Sequence, residues 1–303
     1  MKVLLLGKNG QVGWELQRSL AVLGDVIAVD VDSAPPWRPD FLDADALAAL
    51  VARAAPDLIV NAAAHTAVDK AEAEPELVRA INATAVGTLA RAAKARGAWL
   101  VHYSTDYVFD GSGAAPRRED EPTGAASVYG RSKVESEELI GASGCRHLVF
   151  RTSWVYGARG DNFAKIMLRL AKTRDALAVI DDQVGAPTGA ELLADVTAHA
   201  ARIATARPEL SGTYHCVAAG ETSWHGYARH VIGFARAHGV ELRVADDAIR
   251  AIPSSQYPQA ATRPKNSRLD TTKLREAFEL TLPPWQQGVD RMLNEVLAAT
   301  EGA

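Results

Sequence analysis

Val3-Leu4-Leu5-Leu6 runs directly into Gly7-Lys8-Asn9-Gly10-Gln11-Val12-Gly13, after which Trp14-Glu15-Leu16 begins a helical pattern. A strand that feeds a G-x-x-G-x-x-G turn and then a helix is the arrangement of a dinucleotide loop. The glycines permit a tight turn and close approach of a pyrophosphate, and the helix N-terminus stabilises its charge. Glycine spacing alone is a weak signal, because an ordinary strand-to-helix turn is punctuated in the same way. Asp30 strengthens it. It closes the second strand about 20 residues on, where a carboxylate accepts hydrogen bonds from the adenosine ribose and repels a 2'-phosphate. Asp32 is a rival for that role, and Lys8 is a cation able to accept a 2'-phosphate in part. The expected cofactor is therefore NAD(P)H, with tolerance of both forms.

Outward from this loop, apolar runs at Val3 to Leu6, Val26 to Asp30, Leu58 to Ala62, Trp99 to Ser104 and Leu148 to Thr152 read as strands buried on both faces. Helical stretches alternate with them at Val12 to Leu23, Asp45 to Ala54, Glu76 to Arg96 and Val128 to Ile140. Such alternation predicts an α/β fold, a doubly wound parallel sheet of the Rossmann type, with its ligand at the strands' C-terminal ends. After Tyr156 the rhythm loosens into Gly- and Pro-rich breaks. We expect a dinucleotide-binding domain over residues 1–156 and a smaller, interleaved substrate-binding domain over 157–303. Strands near Ala178 to Ile180 and Tyr214 to Val217 are expected to return to the first.

Composition narrows the function classes. The 303 residues carry a formal net charge of -4, so no basic field invites nucleic acid or an anionic membrane. No stretch is apolar for the roughly 20 residues a membrane span needs, and the apolar run at the start is too short for a signal peptide. Cys145 and Cys216 have no metal-like spacing and read as buried thiols of a reducing compartment, so the expected location is the cytoplasm.

The chemistry points to Tyr129 and Lys133, which stand at i and i+4 and project from one helical face. A phenol is a poor acid-base group at neutral pH, and a neighbouring ammonium is expected to lower its pKa. Lys133 is also placed to bond the nicotinamide ribose. Thr105, at the end of a strand, is expected to hold a ketone oxygen beside the Tyr129 hydroxyl while hydride arrives from the cofactor.

With these residues in order, the sequence resembles the extended short-chain dehydrogenases, and within them the dTDP-4-dehydrorhamnose reductases. The likeness runs through Gly7 to Leu16, Asn61 to Lys70, Tyr103 to Phe109, Arg151 to Tyr156, Asn162-Phe163, Gln183 to Leu192 and Arg263 to Arg268. The segment Asp110 to Ala115 and the tail after Thr300 carry no family signal. The resemblance implies reduction of the 4-keto group of a dTDP-sugar, the last step toward the rhamnosyl donor of bacterial surface polysaccharide such as O-antigen. Thr105, Tyr129 and Lys133 match the family's catalytic residues. Gly10, Gln11, Val12, Asp30, Asp40, Phe41, Ala62, Ala63 and Ala64 match its cofactor contacts, in a loop that also holds Gly7 and Gly13. Val68, Asp69, Thr105, Asp106 and Trp154 match positions that meet the sugar nucleotide. Arg263 stands where a cation pairs with the diphosphate, with Arg268 and Arg159 as alternatives. The resemblance further implies a homodimer and Mg2+ at its interface, through Glu15, Glu191 and Glu295. The competing readings are another sugar-nucleotide epimerase or 4,6-dehydratase of the class, and a non-catalytic regulatory subunit. Dehydratases of this class resemble one another in an Asp-Glu pair after the threonine; here Asp106 is followed by Tyr107.

Overall fold

The computed structural model describes residues 1–301, with side chains through 298. The apolar runs and the stretches between them form β1 (Lys2–Leu6), α1 (Gln11–Leu20), β2 (Asp25–Val29), α2 (Ala44–Ala54), β3 (Leu58–Asn61), α3 (Val68–Ala71), α4 (Pro75–Arg79), α5 (Ala85–Arg96), β4 (Trp99–Thr105), α6 (Val128–Ser143) and β5 (Arg146–Thr152). Further along come β6 (Val155–Tyr156), α7 (Phe163–Thr173), β7 (Leu177–Ile180), β8 (Val184–Gly185), β9 (Thr188–Gly189), α8 (Ala190–Ala206) and β10 (Gly212–His215). The chain finishes with β11 (Thr222–Ser223), α9 (Trp224–Ala237), β12 (Ile249–Ile252), α10 (Thr272–Phe278) and α11 (Trp285–Glu301).

Six strands pair in parallel in the order β2-β1-β3-β4-β5-β10. Each inner strand is buried on both faces, so its residues need no polar alternation. Leu16 and Leu20 of α1, Leu193 of α8 and Phe278 of α10 cover one face. Leu47 and Leu50 of α2, Leu89 of α5 and Ile140 of α6 cover the other. Burying one such side chain is worth about 1.5–3 kcal/mol, and these layers fix the strand ends that carry the loops. The strand order reverses between β1 and β3, and the crevice above that switch is where a doubly wound sheet binds its ligand. A second core, of α7, α9, α11 and β7, gathers Met167, Tyr227, Ile232 and Leu293.

Two expectations are corrected. Ala178 to Ile180 does form a strand, but β7 pairs with β12 in a two-stranded sheet. The edge of the large sheet beside β5 is taken by β10, which does return as expected. The helix expected over Glu76 to Arg96 is interrupted by a π turn over Ala80–Thr84. That extra residue per turn brings Asn82 inward, where it is 1% exposed. Its amide accepts from the His65 backbone N–H at 2.8 Å and donates to the His65 carbonyl and the Ser132 hydroxyl at 3.0 and 3.1 Å. π turns of this kind recur at functional sites.

Candidate active site

Above the switch lie two joined hollows, about 1040 and 450 Å³, which share Gly10 and Ala62 to Ala64. The larger is lined by Gly7, Asn9, Asp30, Arg38, Asp40, Phe41 and His65. The smaller is lined by Gln11, Val12, Val68, Thr105, Asp106, Tyr107, Tyr129, Lys133, Trp154 and Trp224.

The first hollow is shaped for a dinucleotide. A Cβ on Gly13 would come within 1.8 Å of the Gly7 carbonyl oxygen, so only glycine lets α1 start this close to the loop. Gly10 caps α1 with no side chain, which leaves the first backbone N–H groups open toward the groove for an anion. Asp30 sits one residue beyond β2. Its Oδ2 accepts from the Asn9 N–H at 2.9 Å and its Oδ1 from the Val31 N–H at 2.8 Å, tying the glycine loop to the strand end. The rival Asp32 lies instead beside Lys8, at 3.9 Å. Arg38, which the sequence reading missed, lines the same hollow as Asp30, and no motif marks it.

The second hollow gathers the acid-base groups. Ser127 caps α6, accepting from the Gly130 N–H at 3.0 Å, and so sets Tyr129 in the first turn. Gly130 is needed there: a Cβ would meet the Tyr107 carbonyl at 2.4 Å and push α6 off the strand end. Thr105 donates to Asp106 Oδ1 at 3.0 Å, and its effect on the Tyr129 phenol is a lowering one that burial outweighs. Lys133 is 2% exposed, and its Nζ donates to the Tyr103 carbonyl at 2.9 Å, leaving two donors for the groove. Burial lowers its pKa to about 8, opposed by the Glu137 carboxylate. Burial raises Asp106 to about 6, against the lowering effect of the Ser267 and Thr105 hydroxyls, and its Oδ2 has no full hydrogen bond. The lowered phenol pKa expected of Tyr129 is corrected: burial, with Asp106 adding, drives it upward. The Lys133 ammonium faces the Tyr103 carbonyl, so the phenol stays fully protonated.

One wall of the smaller hollow is built on aromatics. Trp154 sits in the left-handed region at φ 49 and stacks on Trp224 with centroids 3.7 Å apart. Trp224 is held by Gln183, to which its indole N–H donates at 3.1 Å. Sequence reading missed Trp224, which stands outside every quoted motif. Asp69 and Arg263 form a bidentate pair at 2.6 and 3.0 Å, reinforced by the Ala261 N–H. Arg268 pairs with Glu221 in a separate hollow, and Arg159 stacks on Trp14 at 4.0 Å.

Glu15, Glu191 and Glu295 come from α1, α8 and α11. Burial, with Glu295 and Glu15 adding, raises the Glu191 carboxyl. Arg291 lies 3.4 and 3.6 Å from Glu191 and Glu295, and Arg18 3.7 Å from Glu15. Among the described residues no group of His, Cys, Asp or Glu is arranged to hold a metal ion. No helix among them is long and apolar enough to cross a membrane. Cys145 and Cys216 are free and buried.

Residues 1–298 match the model of the RmlD substrate binding domain family. The chain belongs to that family. It is 54% identical over 300 residues to a dTDP-4-dehydrorhamnose reductase of Salmonella typhimurium, covering 99% of each chain. A solved dTDP-4-dehydrorhamnose reductase of Clostridium acetobutylicum superposes with a TM-score of 0.87 at 34% identity, over 98% of this chain and all of that one. One from Bacillus anthracis, in complex with NADP, gives 0.84 at 32% over 97% and 100%. The family relationship therefore spans both hollows and both cores.

Proposed function

We propose that the chain reduces the 4-keto group of dTDP-4-dehydro-L-rhamnose to dTDP-L-rhamnose with NAD(P)H. The convergence of Thr105, Tyr129 and Lys133 in one hollow that opens onto a glycine-cradled groove is the observation behind this reading. The dinucleotide runs from the first hollow into the second: Asp40 and Phe41 at the adenine end, Asp30 at the adenosine ribose, Gly10, Gln11 and Val12 at the pyrophosphate where the hollows join, Ala62 to Ala64 along its length. A reduced nicotinamide bound there supplies the hydride.

The chain's own groups manage the oxygen and its proton. Thr105 turns its one O–H from Asp106 to the C4 oxygen and holds it beside the phenol, and the Tyr129 O–H passes its proton to that oxygen as negative charge develops. The Lys133 ammonium, one turn on, bonds the nicotinamide ribose with its spare donors, and the hydrogen bond from Thr105 then favours the phenolate left behind. Asp106, with one oxygen unspent, accepts a sugar hydroxyl; Val68 and Trp154 bound the pyranose. Residues 157–303 supply most of the sugar-nucleotide side. Arg263 takes the diphosphate once released from Asp69, since a single guanidinium cannot serve both anions with the same donors.

Within one chain a divalent cation does not fit Glu15, Glu191 and Glu295, because Arg18 lies beside the first and Arg291 between the other two, and no step runs through one. A homodimer and a cytoplasmic location complete the reading. The test follows absorbance of NADPH and of NADH with dTDP-4-dehydrorhamnose. One equivalent oxidised per sugar supports it; sugar turnover without net oxidation favours an epimerase, and no turnover a regulatory subunit.

A further inference from the structure

Beneath the catalytic hollow lies a buried ion pair that the reaction above does not use. Glu137 stands on α6 one turn beyond Lys133, and Arg151 on β5 is paired with it, their side chains 10% and 6% exposed. The pair is bidentate: Arg151 Nε donates to Oε1 at 2.9 Å and Nη2 to Oε2 at 2.6 Å. Ser104, the neighbour of Thr105 and opposite Arg151 in the β4/β5 register, donates to Glu137 Oε1 at 2.5 Å. Burying two charges is a poor way to gain stability, since desolvation offsets most of the attraction, and apolar residues of the same volume often do as well. Its position suggests another use.

We propose that Glu137 is a positioning residue acting through Lys133: its carboxylate, clamped by Arg151 and Ser104, is the counter-ion against which the Lys133 ammonium is held at the nicotinamide end of the groove. The i, i+4 spacing sets the two Cβ atoms about 5–6 Å apart on one face. The charged and titratable groups around Lys133 are few. On α6 they are Tyr129 and Glu137, on β4 His102, on β5 Arg151, and after β4 Asp106. His102 is neutral: burial and the Lys133 charge hold it well below its usual range. Its ring bridges the Asn61 amide and the Ser136 hydroxyl, each at 3.3 Å, which leaves it no charge to offer. Asp106 is turned to Thr105, and Arg151 to Glu137 itself. Among the described residues Glu137 is therefore the carboxylate whose field opposes the desolvation of Lys133 from behind.

This inference rests on the reductase reading for its consequence, and its test is independent of the sugar. The affinity for NADH is measured from pH 6 to 9.5 by energy transfer from protein tryptophan, for the parent, Glu137→Gln and the double variant Glu137→Gln/Arg151→Met. Gln keeps the shape and an acceptor for Ser104 while removing the charge. The double variant also removes the guanidinium that Gln would leave buried without a counter-ion, so it reports even where the single variant fails to fold. In the parent, affinity should weaken as pH rises through about 8, where Lys133 deprotonates. In the variants that limb should move down by about one pH unit, as expected for loss of an opposite charge at this range. A limb that stays at the parent's pH in a folded variant, or a parent with no limb, overturns the proposal. A shifted limb in a protein that oxidises no NAD(P)H with the ketosugar leaves it standing and sinks the substrate reading instead.

Discussion

Asp106→Asn should gain stability relative to the parent as pH rises from 4 to 8, while impairing the sugar site. Asp106 is 2% exposed; one of its oxygens is bonded by Thr105 and the other has no full partner. Its pKa rises from 3.8 to about 6, with burial the main cause. A raised carboxyl pKa means that the folded chain keeps this proton up to about pH 6, whereas the unfolded chain releases it near 3.8. The native state thus binds more protons between those values, and stability falls as pH rises through that window. The full cost above it is about 3 kcal/mol. Asparagine has the same shape and no charge, so its cost does not vary with pH; its extra N–H carries a fixed desolvation penalty of about 1–3 kcal/mol. The pH-dependent part is the clean readout. From urea unfolding at pH 4 and pH 8, the variant should gain about 2 kcal/mol relative to the parent on going up in pH. A difference flat to within about 0.5 kcal/mol would refute the burial argument. KM for the ketosugar should rise while NADH affinity holds, because the carboxylate acts on Thr105, Tyr129 and the sugar rather than on the dinucleotide groove.

Tyr129→Phe removes one hydroxyl and should cut kcat by at least ~100-fold, the usual worth of a positioned acid, with NADH binding nearly intact; near-normal turnover ends the assignment. Arg38→Ala should raise KM for NADPH about tenfold or more, the loss of one charge-assisted bond, and leave KM for NADH unchanged. Asp30→Ala should shift the KM ratio the other way, toward NADPH, although both values rise as the glycine loop loses its anchor; an unmoved ratio in both variants puts the discrimination elsewhere. Incubated with dTDP-glucose and NAD+, the protein should leave the sugar unchanged, and a 4-keto-6-deoxy product would replace the reductase reading with a dehydratase.

Much of this was legible in the sequence because the fold's main signals are local. The five apolar runs of the inner sheet, the glycine loop and the Tyr129/Lys133 spacing each depend on residues within one turn or one strand. What was hidden depends on tertiary partners. Ala178 to Ile180 has the composition of a sheet strand, but the edge beside β5 is held by β10 and the run pairs with β12, a partner about 70 residues away that no local signal marks. Nothing in Glu76 to Arg96 marks a π turn, since Asn82 is turned inward by His65 and Ser132, which come from two other segments. Arg38 lies in an irregular stretch with no period to read, and Trp224 opens a helix whose pattern accounts for it as core.

The groove's titratable groups bear on which reaction the fold runs. A 4,6-dehydratase needs a base and an acid beside the tyrosine, both able to move a proton at the sugar's C5 and C6. Around Tyr129 the smaller hollow offers one carboxylate, Asp106, one cation, Lys133, and two further phenols, Tyr107 and Tyr103, the latter raised by burial and bonded through its hydroxyl to Thr197. Burial, with Asp106 adding, drives the Tyr107 phenol upward, so it cannot serve as a base at neutral pH. Asp106 already receives the Thr105 hydroxyl, and the residue after it offers no partner carboxylate with which to divide the two roles. One acid, one cation and one anchoring carboxylate suffice to protonate a ketone as hydride arrives, and they fall one group short of what elimination of water requires.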